Sequence, residues 1–250
     1  MPNITFRPGV TKTPHDVPRL FAEDYYSPRV AIKTYHVDYS DFTVPMYLND
    51  QLGDCTCAGI CHCAGSQSKY GVGTELLYSD SQVQSLYSGS CGYVPGDPDT
   101  DQGGTLQQVL AYAKANPNAI PGFELDAFAQ LRNLTVAGLS TALFLYGSVY
   151  VAVDLPQSAE DQFNAGQPWT VSGDGTIAGG HCITLQAVTA DQDNCLKWAT
   201  WGAIQPSDET WAHMYVTEAW AVYSRAFLTP AGQAPNGLNE AALMADMASL

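Results

Sequence analysis

The run Asn49-Asp50-Gln51-Leu52-Gly53-Asp54-Cys55-Thr56-Cys57-Ala58-Gly59 sets a polar turn, an acidic residue and then a thiol at the head of a segment of small residues. It reads as a turn, a helix cap at Asp54 and a helix whose first turn carries Cys55. In the second half of the chain, Gly179-Gly180-His181-Cys182-Ile183-Thr184-Leu185 places a glycine hinge before one histidine at the start of a buried, strand-like run. A thiol at a helix N-terminus is acidified by the positive end of the helix dipole. A histidine brought beside it can hold the thiolate or carry its proton. A fold that uses both must press a helix start against a buried strand from the other half of the chain.

The remaining pattern is compatible with that demand. Residues 1–48 carry Pro2, Pro8, Pro14, Pro18, Pro28 and Pro45 and no sustained period, so they read as an extended arm, with one short strand at about 29–35. A helix is expected from 54 to about 69, stopped by Gly71 and Gly73, and a shorter one over 79–88. Residues 89–104 read as loop. Thr105 then caps an amphipathic helix with Leu106, Val109, Leu110 and Ala113 on one face. After Pro121 the texture changes: 123–131 is mixed, 135–146 is a helix, and 148–154, 181–189, 196–201 and 218–227 are strands, with a last helix over 238–249. A helical part to about 122 and a strand-rich, barrel-like part from about 135 predict an α+β fold with a cleft between them. The uncharged run 136–153 approaches the length of a membrane span. Its Ser140, Thr141 and Ser148, and the change of character at Gly147, mark a buried helix feeding a buried strand, so no membrane partner is expected.

Composition narrows the partners. Of 250 residues only ten are Lys or Arg, and the formal charge is −15, which argues against nucleic acid because phosphate binding needs clustered cations. The seven cysteines are odd in number, and Cys55, Cys57, Cys61 and Cys63 are crowded together, unlike a disulfide framework. They read as reduced thiols of a chain made in a reducing cytoplasm, and the polar first nine residues do not read as a signal peptide. Cys55, Cys57, Cys61, His62 and Cys63 could be taken as metal ligands, but paired cysteines at a metal normally stand two to four residues apart in a knuckle, so no metal and no cofactor is expected.

Five segments, taken in order, carry a resemblance: Cys55 at its helix start, Asp101-Gln102-Gly103-Gly104-Thr105 with the helix after it, the helix-to-strand unit over 139–154, Gly179 onward to His181, and Lys197-Trp198-Ala199-Thr200-Trp201-Gly202. Over residues 45–227 the chain resembles the papain-like cysteine protease superfamily. It is similar in particular to papain-like proteins of bacteriophages and bacteria with Asn-Asp-x-x-Gly-Asp-Cys-Thr and Gly-Gly-His motifs. The resemblance implies an arm over 1–48, a papain-like domain over 49–230 and a tail with a helix over 231–250. It implies Cys55 as nucleophile, His181 as proton carrier and Asn49 as oxyanion donor, with Gln51 the alternative. Gln51, Gly103, Gly104 and Trp201 would bind substrate, the glycines because a bare backbone lets another chain approach.

One departure stands out. The family's orienting asparagine falls at Ala199, which has no side-chain acceptor, so the imidazole is expected to be oriented by Thr200, by Gln205, by a backbone carbonyl or by packing under Trp201. A register with Cys57 as nucleophile is open too, but Gly53-Asp54-Cys55-Thr56 puts Cys55 at the helix start. The implied activity is that of a peptidase or amidase on a peptide or protein substrate. The rival expectation is an inactive papain-fold component of a phage capsid or tail, among other virion proteins.

Overall fold

The computed structural model describes residues 7, 9–27, 36–189, 193, 195–224, 227 and 238–249. Helix α1, Cys55–Val72, is buried at every residue from 55 to 68, so it shows no polar stripe and is enclosed on all sides. Small residues make that possible. A Cβ on Gly59 would lie 2.7 Å from Cys182 Sγ and 2.9 Å from the Tyr150 ring. The helix passes through Gly71 and ends only at Gly73, whose φ of +74° closes it in the left-handed conformation.

Helix α2, Asp80–Cys91, starts from a reciprocal cap between Ser79 and Gln82 and ends at Gly92 with φ +79°. It therefore takes in Gly89, which was expected to open a loop; Gly89 lies directly against the Tyr112 ring, a contact a side chain would obstruct. Helix α3, Leu106–Ala115, is capped by Thr105 and Gln108 and buries Leu106, Val109, Leu110 and Ala113 as the periodicity predicts. Helix α4, Val136–Tyr146, ends at Gly147 with φ +76° and feeds directly into a strand.

The strands are β1 (His36–Asp38), β2 (Ala127–Gln130), β3 (Val149–Pro156), β4 (Ile177–Thr189), β5 (Leu196–Thr200), β6 (Ala203–Ser207) and β7 (Val216–Tyr223). They form one antiparallel sheet in the order β2-β7-β3-β4-β5-β6, and β1 pairs with the last residues of β4. Helices α5 (Gln157–Asn164), α6 (Glu209–Tyr215) and α7 (Glu240–Met247) complete the described chain. Elements α5, α6 and β6 were not expected. Helix α5 buries only Ala159 and Phe163, too few for a visible period, and β6 contains Pro206, which an edge strand tolerates. The strand expected at 29–35 lies outside the described residues. No helix among the described residues is long and apolar enough to cross a membrane.

Buried Gln67 ties the layers together, its Nε2 donating to the carbonyls of Tyr146 (2.7 Å) and Val222 (2.8 Å). Gly59 makes a close seam with β3 and β4 through Tyr150 and Cys182. Alanine gains about 1 kcal/mol over glycine in a helix, but an extra methyl forced against Cys182 and Tyr150 costs about 1–3 kcal/mol. Gly59→Ala is expected to lower stability to urea, and adding Cys182→Ala to recover part of the loss; unchanged stability of the single variant would mean that α1 and β4 are not in this contact.

Candidate active site

Cys55 opens α1, and its sulfur accepts the backbone N–H of Cys182, the residue immediately after His181. The strand that carries His181 thus reaches the helix start. His181 is paired with Val153 in the sheet. Its Nε2 lies 2.8 Å from Thr200 Oγ1, and its ring stacks on Trp201 with centroids 4.6 Å apart and planes 23° off parallel. Trp201 takes a left-handed φ of +45° at the β5–β6 turn and stands edge-on to Phe163 and Trp169. It therefore lies beneath the imidazole as a buried platform, away from the open surface where substrate contact was expected.

Thr200, one position after Ala199, is the side chain at the imidazole. Gln205 is not, since its amide donates to the carbonyls of Gln167 (2.8 Å) and Pro206 (3.3 Å). Asn49 is buried, and its Nδ2 lies 3.3 Å from Asp54 Oδ1. Gln51 is exposed. The side chain of Asp54 does not cap α1 as expected. Burial pushes its carboxyl well above the usual range, with the Asn49 hydrogen bond opposing and Asp101 and Asp50 adding to the rise. Two residues of this neighbourhood were missed. Asp101 Oδ1 accepts from the Gly53 amide (2.9 Å) and the Tyr87 hydroxyl (2.7 Å), and that hydroxyl accepts from the Gly103 amide (2.8 Å). A carboxylate just ahead of a Gly-Gly pair was the available signal for Asp101; Tyr87 had none.

The chain's own arm lies in the cleft. Gly104 accepts from the Thr11 amide (3.0 Å) and donates to the Gly9 carbonyl (2.8 Å), while the Gly180 carbonyl accepts from the amides of Gly9 and Val10 (3.2 Å each). Gly9 sits over the thiol. A Cβ there would come within 2.7 Å of Cys55 Sγ and collide with the Gly53 carbonyl. Beyond the cleft the arm is fastened by Thr13 Oγ1 donating to Glu218 Oε1 (2.6 Å) and by Gln107 Nε2 donating to the Pro18 carbonyl (2.7 Å).

This cover sets the electrostatics. Cys55 is 1% and His181 0% exposed. Burial drives the Cys55 thiol far above its ordinary range despite the Cys182 amide, and Asp54 adds to the rise. Burial lowers His181 to about 3. In this closed state desolvation opposes the acidifying effect of the helix dipole on the thiol and favours the neutral form of both groups.

No protein-family model matches the sequence, and no curated protein is similar to it in sequence. Solved structures are similar in fold. Xylellain, a cysteine protease from Xylella fastidiosa, superposes with a TM-score of 0.66 at 12% identity, covering 89% of this chain and 98% of its own. Procathepsin B S9 from Trypanosoma congolense gives a TM-score of 0.55 at 11% identity, covering 88% and 86%. The fold is papain-like α+β.

Two outcomes follow from the covered site. Cys91 is the one cysteine of the seven that is not buried, so brief iodoacetamide treatment of the native chain should label Cys91 ahead of Cys55. Gly9→Val, which cannot sit over the thiol, should raise the rate at Cys55 by at least about tenfold, the scale of one lost hydrogen bond; an unchanged rate on mass-spectrometric mapping would remove the arm from the site. The second outcome concerns pH. The histidines His181 and His62, lowered by burial to about 3 and about 4, are neutral when folded and take a proton below 6.5 when unfolded. The unfolded state then binds more protons, so their contribution to stability falls as pH drops from 6.5 towards 4. Asp54, raised in the folded state, acts in the opposite sense. Urea midpoints across that window should fall, and fall less in His62→Gln.

Proposed function

We propose that this chain is a cysteine peptidase or amidase that works through Cys55 and His181 and is held closed by its own N-terminal arm. The observation that carries the reading is the arm itself. An extended backbone segment lies across the Cys55 thiol, hydrogen-bonded to Gly104 on one wall and Gly180 on the other. A cleft that satisfies the backbone of residues 9–11 in this way offers the same donors and acceptors to any extended peptide.

The chemistry follows from the groups present. With substrate in place of the arm, His181 takes the Cys55 proton as the sulfur bonds to the carbonyl carbon. The oxyanion forms near the backbone amide of Cys55 at the head of α1, and Asn49 Nδ2 adds a donor by turning from Asp54. His181 returns the proton to the leaving nitrogen, the C–N bond breaks, and a thioester remains on Cys55. Water, deprotonated by His181, attacks the thioester carbon, and the thiol is regenerated with release of the acid. Thr200 holds the imidazole in orientation throughout, a role of the kind that a third group plays in a catalytic triad.

The test compares hydrolysis of a fluorogenic peptide library by the wild-type chain, Gly9→Val, Gly9→Val/Cys55→Ala and Gly9→Val/His181→Ala. Turnover is expected to appear or to rise at least about tenfold in Gly9→Val, the equivalent of some 1.4 kcal/mol, and to vanish in both double variants. A Gly9→Val chain with a freely alkylated Cys55 and no turnover of any peptide would overturn the reading.

A further inference from the structure

A second thiol arrangement lies outside the Cys55 site. Cys57 is two residues into α1, where side chains at i and i+2 do not face the same way, and Cys91 is the last residue of α2. Ser90 Oγ stands 3.5 Å from Cys57 Sγ and 3.4 Å from Cys91 Sγ. The serine hydroxyl also donates to the Leu86 carbonyl at 2.7 Å, which fixes its place between the two sulfurs. The thiols also hydrogen-bond each other. Two cysteines from separate helices therefore converge on one hydroxyl, and only one of them is open to solvent: Cys91 is half-buried and Cys57 is fully buried.

We infer that Cys57 and Cys91 are a peroxide-responsive dithiol, with Cys91 the sulfur that meets the oxidant and Cys57 the one that closes the disulfide. The division of labour follows from the surroundings. The hydrogen bond from Cys57 holds the Cys91 thiol below its ordinary range against the effect of burial, helped by Ser90, whereas burial drives Cys57 well up. A thiolate is the reacting form, and access decides which thiol meets a solute.

The step balances with a hydroperoxide as the named oxidant. The Cys91 sulfur attacks the terminal peroxide oxygen, the O–O bond breaks, and a sulfenic acid forms as water or an alcohol leaves. The Cys57 sulfur then attacks the Cys91 sulfur, its proton goes to the departing hydroxide, and a second molecule of water is released. Two thiols have lost two electrons and two protons, and the peroxide has been reduced by two electrons. The disulfide joins α1 to α2, and the reacting sulfur lies against the cleft wall, since a Cβ on Gly104 would stand 2.5 Å from Cys91 Sγ.

Because the readout is thiol chemistry, it does not depend on whether the chain hydrolyses peptides. The native full-length chain is treated with stoichiometric hydrogen peroxide, quenched, and titrated for thiols in denaturant, and its peptides are mapped without reduction. The expected result is loss of two of the seven thiols, a peptide pair joined through Cys57 and Cys91, and full recovery with dithiothreitol. Cys91→Ser should abolish the loss, and Cys57→Ser should leave a Cys91 sulfenic acid that dimedone traps. Seven thiols surviving in the wild-type chain, a disulfide joining any other pair, or Cys91 oxidised with Cys57 still alkylatable would each overturn the inference, even if both serine variants failed to fold.

Discussion

The thiol of Cys55 stands against β4 because Gly59, one turn further along α1, has no side chain. That gap admits Cys182 Sγ and the Tyr150 ring. Tyr150 then reaches the first turn and donates to the Thr56 carbonyl at 2.7 Å, while the Cys182 amide meets the Cys55 sulfur. Three contacts within two helical turns fix the start of α1 relative to the strand bearing His181. Interiors packed at this density transmit small changes in volume directly, so the relation of thiol to imidazole is set by packing before any charge is considered.

Charge is decided by the cover. An ion pair between Cys55 and His181 would have to form in a buried space that the arm covers, where an uncompensated charge is costly. The neutral pair is the form that matches the sealed cleft. Admitting water moves both groups towards their ordinary ranges, the thiol downward and the imidazole upward. On the proposed function, the position of Gly9 would then decide whether these residues are inert or reactive.

Much of this was legible in the chain because local signals carry through to the fold. The capping residues Thr105 and Thr135 start their helices, Gly147 turns a buried helix into a strand, and Gly-Asp-Cys-Thr places Cys55 at the head of α1. Other features depend on partners distant in sequence. Asp54 has the composition of a cap but spends its carboxyl oxygen on Asn49. The imidazole partner is Thr200 and not Gln205, a choice made by the turn at Trp201 and Gly202. Short α5 and α6 carry too few buried residues to announce themselves. The path of the arm was the least legible element, because it follows backbone hydrogen bonds to Gly104 and Gly180 that leave no period in residues 9–13.

If a peptide substrate uses the Gly104 and Gly180 backbone groups as proposed, occupancy of the cleft is a contest between a tethered strand and a free one. A tethered segment meets its site at an effective concentration on the order of millimolar, and the arm has Glu218 and Gln107 as further anchors. A peptide dissolved at micromolar levels and held by the same four backbone hydrogen bonds is outnumbered about a thousandfold. Dilution, which separates an enzyme from an inhibitor in solution, does nothing to a strand of the same chain. Opening this cleft is therefore a change to the arm, through a cut, a modification or a partner that seizes it, and the abundance of peptide has little say in the matter.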